Sequence, residues 1–429
     1  LFGRDPSTNV DKHALYKFRS DAKGRGMLLD EYWRVCDQKS YKPYSIELIK
    51  ELLPIYKQYK KDNNKCDYPD MIEDFNHQDV KEPDIDVVII DECQDSNVPQ
   101  TQAIEKMATN VKEGHYYLVG DADQTLFEYA GSNANYFHEL AANPYHELTE
   151  GLRCSEAINT KCKKIIMPIW DKWNSHRVWT PSKYTKEHGM GHVGEVIKGN
   201  GYYLSNFEGS SHLDILLNKI KNTNQTFLFT YRGNPSDTRV TKFLSRRGLE
   251  YSMVGCSPHA SKKEINSHYV WPDFVQGKPM HLNQVKAFWD YMGGKVIVHG
   301  KGEYDFKDWI KQDYTIDYLI TKGLLKKDCK QYTDFDLIRI PSNTTKEKLI
   351  YIKKVLAKGF DFDKKIQIKY GNIHDVKGLT FDNVIVDHTL TRPEEWFTQL
   401  RLAYTAYSRG IFDYWTLASQ RKLTLGKKV

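Results

Sequence analysis

An α/β fold built on parallel sheets is predicted, and three observations predict it. Residues 85–90, Ile-Asp-Val-Val-Ile-Ile, form a short β-branched run ending at Asp91-Glu92, and a second run over 116–119 ends at Gly120-Asp121. A helical stretch over about 100–109 lies between them, and strand–helix–strand is the signature of a parallel pair. The alternation then returns. Residues 226–231 (TFLFTY) read as a buried strand, followed by a helix over about 237–247. Further strands are expected at 366–369 and 384–387, a helix at 394–409 and a last strand at 415–418. In such sheets ligands bind outside the carboxyl ends of the strands, where both acidic pairs fall.

The flanking stretches differ in character. Residues 1–80 are polar and mostly helical in pattern, with apolar residues at helical spacing over 45–59 (SIELIKELLPIYKQY). Residues 256–365 are Lys-rich, more polar and less regular, and read as an inserted subdomain. Hydrophobic residues are 40% and charged residues 28% of the 429, which fits a globular chain and excludes a disordered or fibrous one. No run of 18 apolar residues occurs, so no membrane span is expected. The first residue is Leu1 with no signal-peptide layout after it, and the start reads as a truncation of a longer protein. A net charge of +6 is compatible with a polyanionic partner. Most of the 28 Tyr are expected at core edges, leaving a few for base stacking. The seven Cys are scattered without a C-x-x-C pair, which indicates neither a zinc ribbon nor a disulfide framework and suits a reducing cytoplasm.

Two segments carry chemistry. In Asp91-Glu92-Cys93-Gln94-Asp95, one carboxylate could hold Mg²⁺ and its neighbour could orient or deprotonate an attacking water. The same acids could instead serve a helix N-terminus. In Gly120-Asp121-Ala122-Asp123-Gln124, a Gln at the second strand end could hydrogen-bond both a water and a γ-phosphate, although turns rich in Gly and Asp are common.

Taken together these segments resemble motifs II and III of UvrD/Rep-like superfamily 1A DNA helicases, with Thr125-Leu126-Phe127-Glu128-Tyr129-Ala130-Gly131 continuing the second. Four more follow in the family's order. Residues 148–155 (LTEGLRCS) resemble L-x-x-N-Y-R-S, and 229–234 (FTYRGN) resemble Y-R-x-N. Residues 373–381 (IHDVKGLTF) resemble H-x-x-K-G-L-E-F, and 401–409 (RLAYTAYSR) resemble R-L-A-Y-V-x-x-T-R. The six segments cover 85–410.

The resemblance implies two RecA-like parallel-sheet domains, the first incomplete, with helical inserted subdomains. A helical insert would span 1–80, the C-terminal part of the first RecA-like domain 81–185, the second 186–255 and 366–429, and a reduced inserted subdomain 256–365. It implies ATP and Mg²⁺ as cofactors and single-stranded and junction DNA as partners, in the cytoplasm. Asp91 would bind Mg²⁺, Glu92 would be the general base, and Gln124 would sense the γ-phosphate. Arg153 and Arg409 would be arginine fingers from opposite sides of an inter-domain cleft, where a permanently charged planar guanidinium can stabilise a transferring phosphoryl group. Asp121, Lys377 and Gly378 would contact nucleotide, and Phe127, Tyr129, Arg232, His374 and Tyr404 would contact DNA.

The sequence departs from the family pattern in places. Tyr129 stands where a Trp is usual, Ala130 where many relatives have Arg, Gly151-Leu152 for Asn-Tyr, and Thr380 for Glu. No G-x-x-x-x-G-K-[ST] loop, the phosphate cradle of such enzymes, occurs in the 429 residues. The expectation is an ATP-dependent helicase or translocase moving 3′ to 5′ for the intact parent, and no ATP turnover by these residues alone. The alternative is a non-hydrolysing DNA-binding relative that has lost its ATPase site.

Overall fold

The computed structural model describes residues 14–41, 44–78, 86–109, 111, 115–134, 137, 146–188, 193–199, 211–232, 234–298, 309–337, 346–360, 365–387 and 396–419. Ile85, Gly233 and Glu394, which belong to expected elements, lie outside them. Two compact units emerge: 1–149 with 165–178 and 394–405, and 150–164 with 179–393 and 406–429.

The first unit opens with four helices, α1 (Ala14–Gly24), α2 (Leu29–Val35), α3 (Ile46–Asp62) and α4 (Tyr68–His77). Ser45 caps α3, its hydroxyl accepting from the Leu48 N–H at 3.3 Å, and the helical spacing buries Ile49 and Leu52 against Leu15 and Phe18 of α1. Asp67 caps α4 reciprocally with Asp70. The same two carboxylates take Arg19 and Lys60, with Arg19 to Asp67 at 2.7 Å and Lys60 to Asp67 at 2.9 Å. Burial works to raise the Asp70 carboxyl, but Lys60 and Arg19 hold it below the ordinary carboxylate range. Then come β1 (Val88–Ile90), α5 (Val98–Thr109) and β2 (Tyr116–Leu118), and the two strands pair in parallel with Val88 opposite Tyr116. The strands are shorter than the sequence suggests. Val87, Ile89, Tyr117 and Val119 are exposed along one face of the pair.

The boundary between units falls inside α6 (Glu156–Trp173) and again inside α14 (Trp396–Tyr407). The second unit adds α7 (Lys183–His188), β3 (Val193–Gly199), α8 (Ser211–Asn222), β4 (Phe227–Tyr231), α9 (Asn234–Arg246) and β5 (Tyr251–Met253). After the intervening segment come α13 (Lys346–Ala357), β8 (Ile368–Asn372), β9 (Phe381–Asp387) and β10 (Gly410–Ser419). The strands form one six-stranded parallel sheet in the order β3-β10-β9-β4-β8-β5. β4 sits between β8 and β9 and is buried along its length, which accounts for the unbroken apolar run Phe227-Leu228-Phe229. Phe227, Phe229, Phe243, Tyr251, Tyr351 and Trp415 belong to one core.

The described residues between β5 and α13 are more regular than their composition suggests. α10 (Lys262–Val275), β6 (Met280–His281), α11 (Leu282–Trp289), β7 (Asp313–Tyr314) and α12 (Ile316–Thr321) enclose a second core around Trp271, Phe274, Phe288 and Phe335. Apolar residues at helical spacing (270, 271, 274, 275 and 282, 285, 288, 289) build it, and a Lys-rich exterior masks that periodicity in the sequence. The arrangement is an α/β protein with parallel sheets, consistent with the RecA-like class. Among the described residues no helix is long and apolar enough to cross a membrane.

Candidate functional site

In the first unit β1 delivers Asp91 and Glu92 at its carboxyl end, both exposed. The Asp91 carboxylate accepts the Glu92 N–H at 2.8 Å. Glu92 has φ 55° and ψ 35°, a left-handed conformation that a residue with a side chain adopts at a cost of about 1 kcal/mol. That turn admits Gln94, which is fully buried. Its amide N–H₂ donates to the Glu92 carboxylate, and its amide oxygen accepts the Asp121 N–H at 3.0 Å. One buried side chain therefore ties the first acidic pair to the second strand end. Gly120 makes this possible: a Cβ there would stand 2.5 Å from the Gln94 amide oxygen and 2.9 Å from the Phe137 ring.

Asp121 gathers the next set. One carboxylate oxygen accepts the Asp123 N–H at 3.0 Å and Arg177 at 3.0 Å; the other accepts the Gln124 amide at 2.7 Å and the Tyr404 hydroxyl at 3.2 Å. Asp123 is 3% exposed and receives the Trp170 indole N–H at 2.8 Å, with Arg177 at 3.6 Å. Burial first, then the charge of Asp121, pushes the Asp123 carboxyl up to about 6, while Arg177 and Trp170 pull the other way. Tyr404, expected on DNA, is buried, with its hydroxyl donating to Asp121, in a stretch of α14 where every residue from 399 to 407 is buried.

The adjoining turn is clamped from several sides. Arg25 donates to the carbonyls of Glu128 and Tyr129, both at 3.0 Å. The Glu128 carboxylate accepts the Thr398 hydroxyl at 2.6 Å and pairs with Arg401. Gly131 has φ +97°, and a Cβ there would meet the Gly24 carbonyl at 2.3 Å. On this fixed turn Tyr129 is 57% exposed, its ring tilted 55° to that of half-buried Phe127 at 6.0 Å.

In the second unit Tyr231 and Asn372 are register partners at the ends of β4 and β8, so Arg232 and His374 follow from adjacent strand ends. Asn372 organises the turn: its carboxamide oxygen accepts the His374 N–H at 3.1 Å, and its carbonyl accepts the N–H groups of Asp375 and Val376. The turn carries half-buried Lys377 and then Gly378 at φ +81°.

Arg153 and Arg409 both fall in this unit and both bond to Ser408. Arg153 donates to the Ser408 carbonyl at 3.1 Å, and Arg409 to the Ser408 hydroxyl at 2.8 Å. Burial pushes the Cys154 thiol up to about 11 against the opposing charges of Arg153 and Arg409. Arg409 is 3% exposed. Ser155 holds the segment to β10, its N–H on the Ile411 carbonyl at 2.8 Å and its hydroxyl on that of Phe412 at 2.6 Å.

Reasoning from sequence names Asp91, Glu92, Asp121 and Gln124 but misses what joins them. Gln94 stood inside a recognised segment, and a neutral amide between acids was its only signal. Arg177, Trp170 and Arg25 had none, and Arg401 opened a recognised segment that gave no hint of its partner, since each reaches that partner from a distant stretch of chain. Among the described residues no group of three His, Cys, Asp or Glu side chains is arranged to hold a metal ion. Asp91 nonetheless suits Mg²⁺ carried by a nucleotide, which needs one or two protein carboxylates beside phosphates and water.

Parallel sheets with carboxylates and a Gln collected at neighbouring strand ends are consistent with the RecA-like class. The comparisons narrow this. Residues 6–144 match the UvrD/REP helicase N-terminal domain, and over them the chain is UvrD/Rep-like. It is 25% identical over 238 residues to the ATP-dependent DNA helicase PcrA of Leuconostoc citreum, an alignment covering 51% of this chain and 30% of that protein. The chain thus spans about a third of the length of the curated relative it matches.

Proposed function

We propose that this chain forms the motor portion of an ATP-dependent DNA helicase that translocates on single-stranded DNA. The supporting observation is the chain of bonds from Glu92 through Gln94 to Asp121 and Gln124. It couples a candidate base to a candidate γ-phosphate sensor, so that nucleotide at one would be felt at the other. Glu92 would orient and deprotonate the attacking water, and Gln124 would leave Asp121 to report on the terminal phosphate. Asp91 would hold Mg²⁺, which neutralises phosphate charge when bound. Arg153 and Arg409 would supply cationic stabilisation once freed from Ser408. Tyr129, held out on its clamped turn, would stack on a base, worth about 1–3 kcal/mol. Arg232 and His374 would line the strand from the ends of β4 and β8, with Lys377 and Gly378 nearer nucleotide. Tyr404 acts through Asp121 and not on DNA. The proposed direction is 3′ to 5′, and the proposed domain boundaries are those expected from the sequence.

The test is ATP hydrolysis by the protein expressed from its full reading frame, with and without oligo-dT. Stimulation by single strand, lost by at least a hundredfold in Glu92→Gln with DNA binding retained, is the expected result. DNA binding with no turnover in the unaltered protein would overturn it in favour of a non-hydrolysing relative.

A further inference from the structure

The carboxyl ends of the second unit's strands are assigned above; the amino ends carry a separate feature. A half-open groove of about 760 Å³ lies where the chain enters β5 and β8, bounded by the C-terminal turns of α8, α9 and α13. Its rim carries Lys221, Arg246, Arg247, Lys354, Lys358 and Lys365, against Glu250 as the acid among the described lining residues. Its floor is apolar, with Ile220 and Leu249.

Part of this charge has a structural explanation. Three helix C-termini converge here, and their unpaired carbonyls attract cations. Lys354 answers that demand directly, its ammonium on the Arg246 carbonyl. Arg247 lies over the Phe243 ring at 5.0 Å. Lys221, in the last turn of α8, answers the same attraction, whereas Lys358 and Lys365 lie beyond the last turn of α13; all three are exposed. Burial, then Arg247, Lys221 and Lys354, lower the Lys358 ammonium, so the cations are close enough to repel one another. The geometry is fixed: Gly248, at φ +58°, runs so close to α13 that a Cβ would stand 2.8 Å from the Lys354 backbone. A rigid cradle of mutually repelling cations is stabilised by a multivalent anion. No aromatic side chain is among the described lining residues, so the groove offers charge without a base-stacking platform.

We propose that this groove binds a run of closely spaced phosphates, from a nucleic-acid backbone or a free polyphosphate, at the end of the sheet opposite Arg232 and His374. A nucleic-acid strand held here would be gripped independently of base sequence.

The test uses the triple variant Lys221→Glu/Lys358→Glu/Lys365→Glu, with the triple Lys→Gln variant and circular dichroism as controls for folding. The probes are labelled oligo-dT, a labelled duplex and sodium tripolyphosphate. At least a tenfold loss of affinity in both variants is expected. For duplex, the slope of log affinity against log salt should flatten by about 2–3, at about 0.9 per lost phosphate contact. Loss for the oligonucleotides identifies a backbone as the source; loss for tripolyphosphate alone identifies a free polyphosphate. Unchanged affinity for all three probes in folded variants would overturn the assignment. Tyr129→Ala separates this site from the motor reading, because it should leave tripolyphosphate binding intact.

Discussion

The strand ends of the two units are organised in different ways. At β1 and β2, side chains link stretches far apart in sequence: Gln94, bonded to its neighbour Glu92, reaches the Asp121 N–H, and Arg177 and Tyr404 reach the Asp121 carboxylate. At β4 and β8 the turn is shaped locally, with Asn372 bonding two to four residues ahead. The first arrangement is a network whose members lose partners when any one is removed; the second is a set of nearly independent local bonds. Damage should therefore spread in the first and stay confined in the second.

The sharpest way to break that contrast is Gly120→Val. The added side chain collides with Gln94 and Phe137 and should displace the amide that links both strand ends. Overpacking plus a stranded buried amide costs about 4 kcal/mol. Hydrogen exchange should show lost protection at both β1 and β2, and protection at both strands equal to the unaltered protein would refute the link.

Next in size is a pH effect. The folded Asp123 carboxyl titrates near 6, above its ordinary 3.8, so the folded state holds a proton that the unfolded state releases between those values. Stability from this group is fully present below about 3.8 and lost as pH rises through about 6, an effect of about 2–3 kcal/mol. Asp123→Asn should flatten the pH dependence of urea unfolding of the first unit across that window. An unaltered profile would place the proton elsewhere. The smallest effect belongs to the second unit. Asn372→Ala should cost about 1 kcal/mol or less and change exchange in residues 372–376 without touching β4; loss of protection along β4 would contradict a locally built turn.

The same contrast explains what could be read from sequence. The parallel strands, the two acidic pairs and the His374–Gly378 turn were legible because each is written in consecutive residues with a fixed period or spacing. The inward face of Tyr404, the meeting of Arg153 with Arg409 on Ser408, and the Trp170 and Arg177 contacts were not. They depend on where α6 and α14 pack, and a helix's own spacing does not say which neighbour its polar residues will find. The core around Trp271 was hidden for a related reason, since abundant Lys lowered the average hydropathy of a segment whose apolar positions are nonetheless periodic.

The left-handed backbone at Glu92 carries a consequence of its own. Glycine would fit that conformation with less strain, but it would leave the buried Gln94 amide without the carboxylate it now reaches. Relief of the backbone and loss of that bond therefore oppose each other at position 92. Screens that reward only thermal resistance would keep an acceptor there without caring whether it is charged, and a glutamine among the survivors would separate what the acid does from what its oxygen holds.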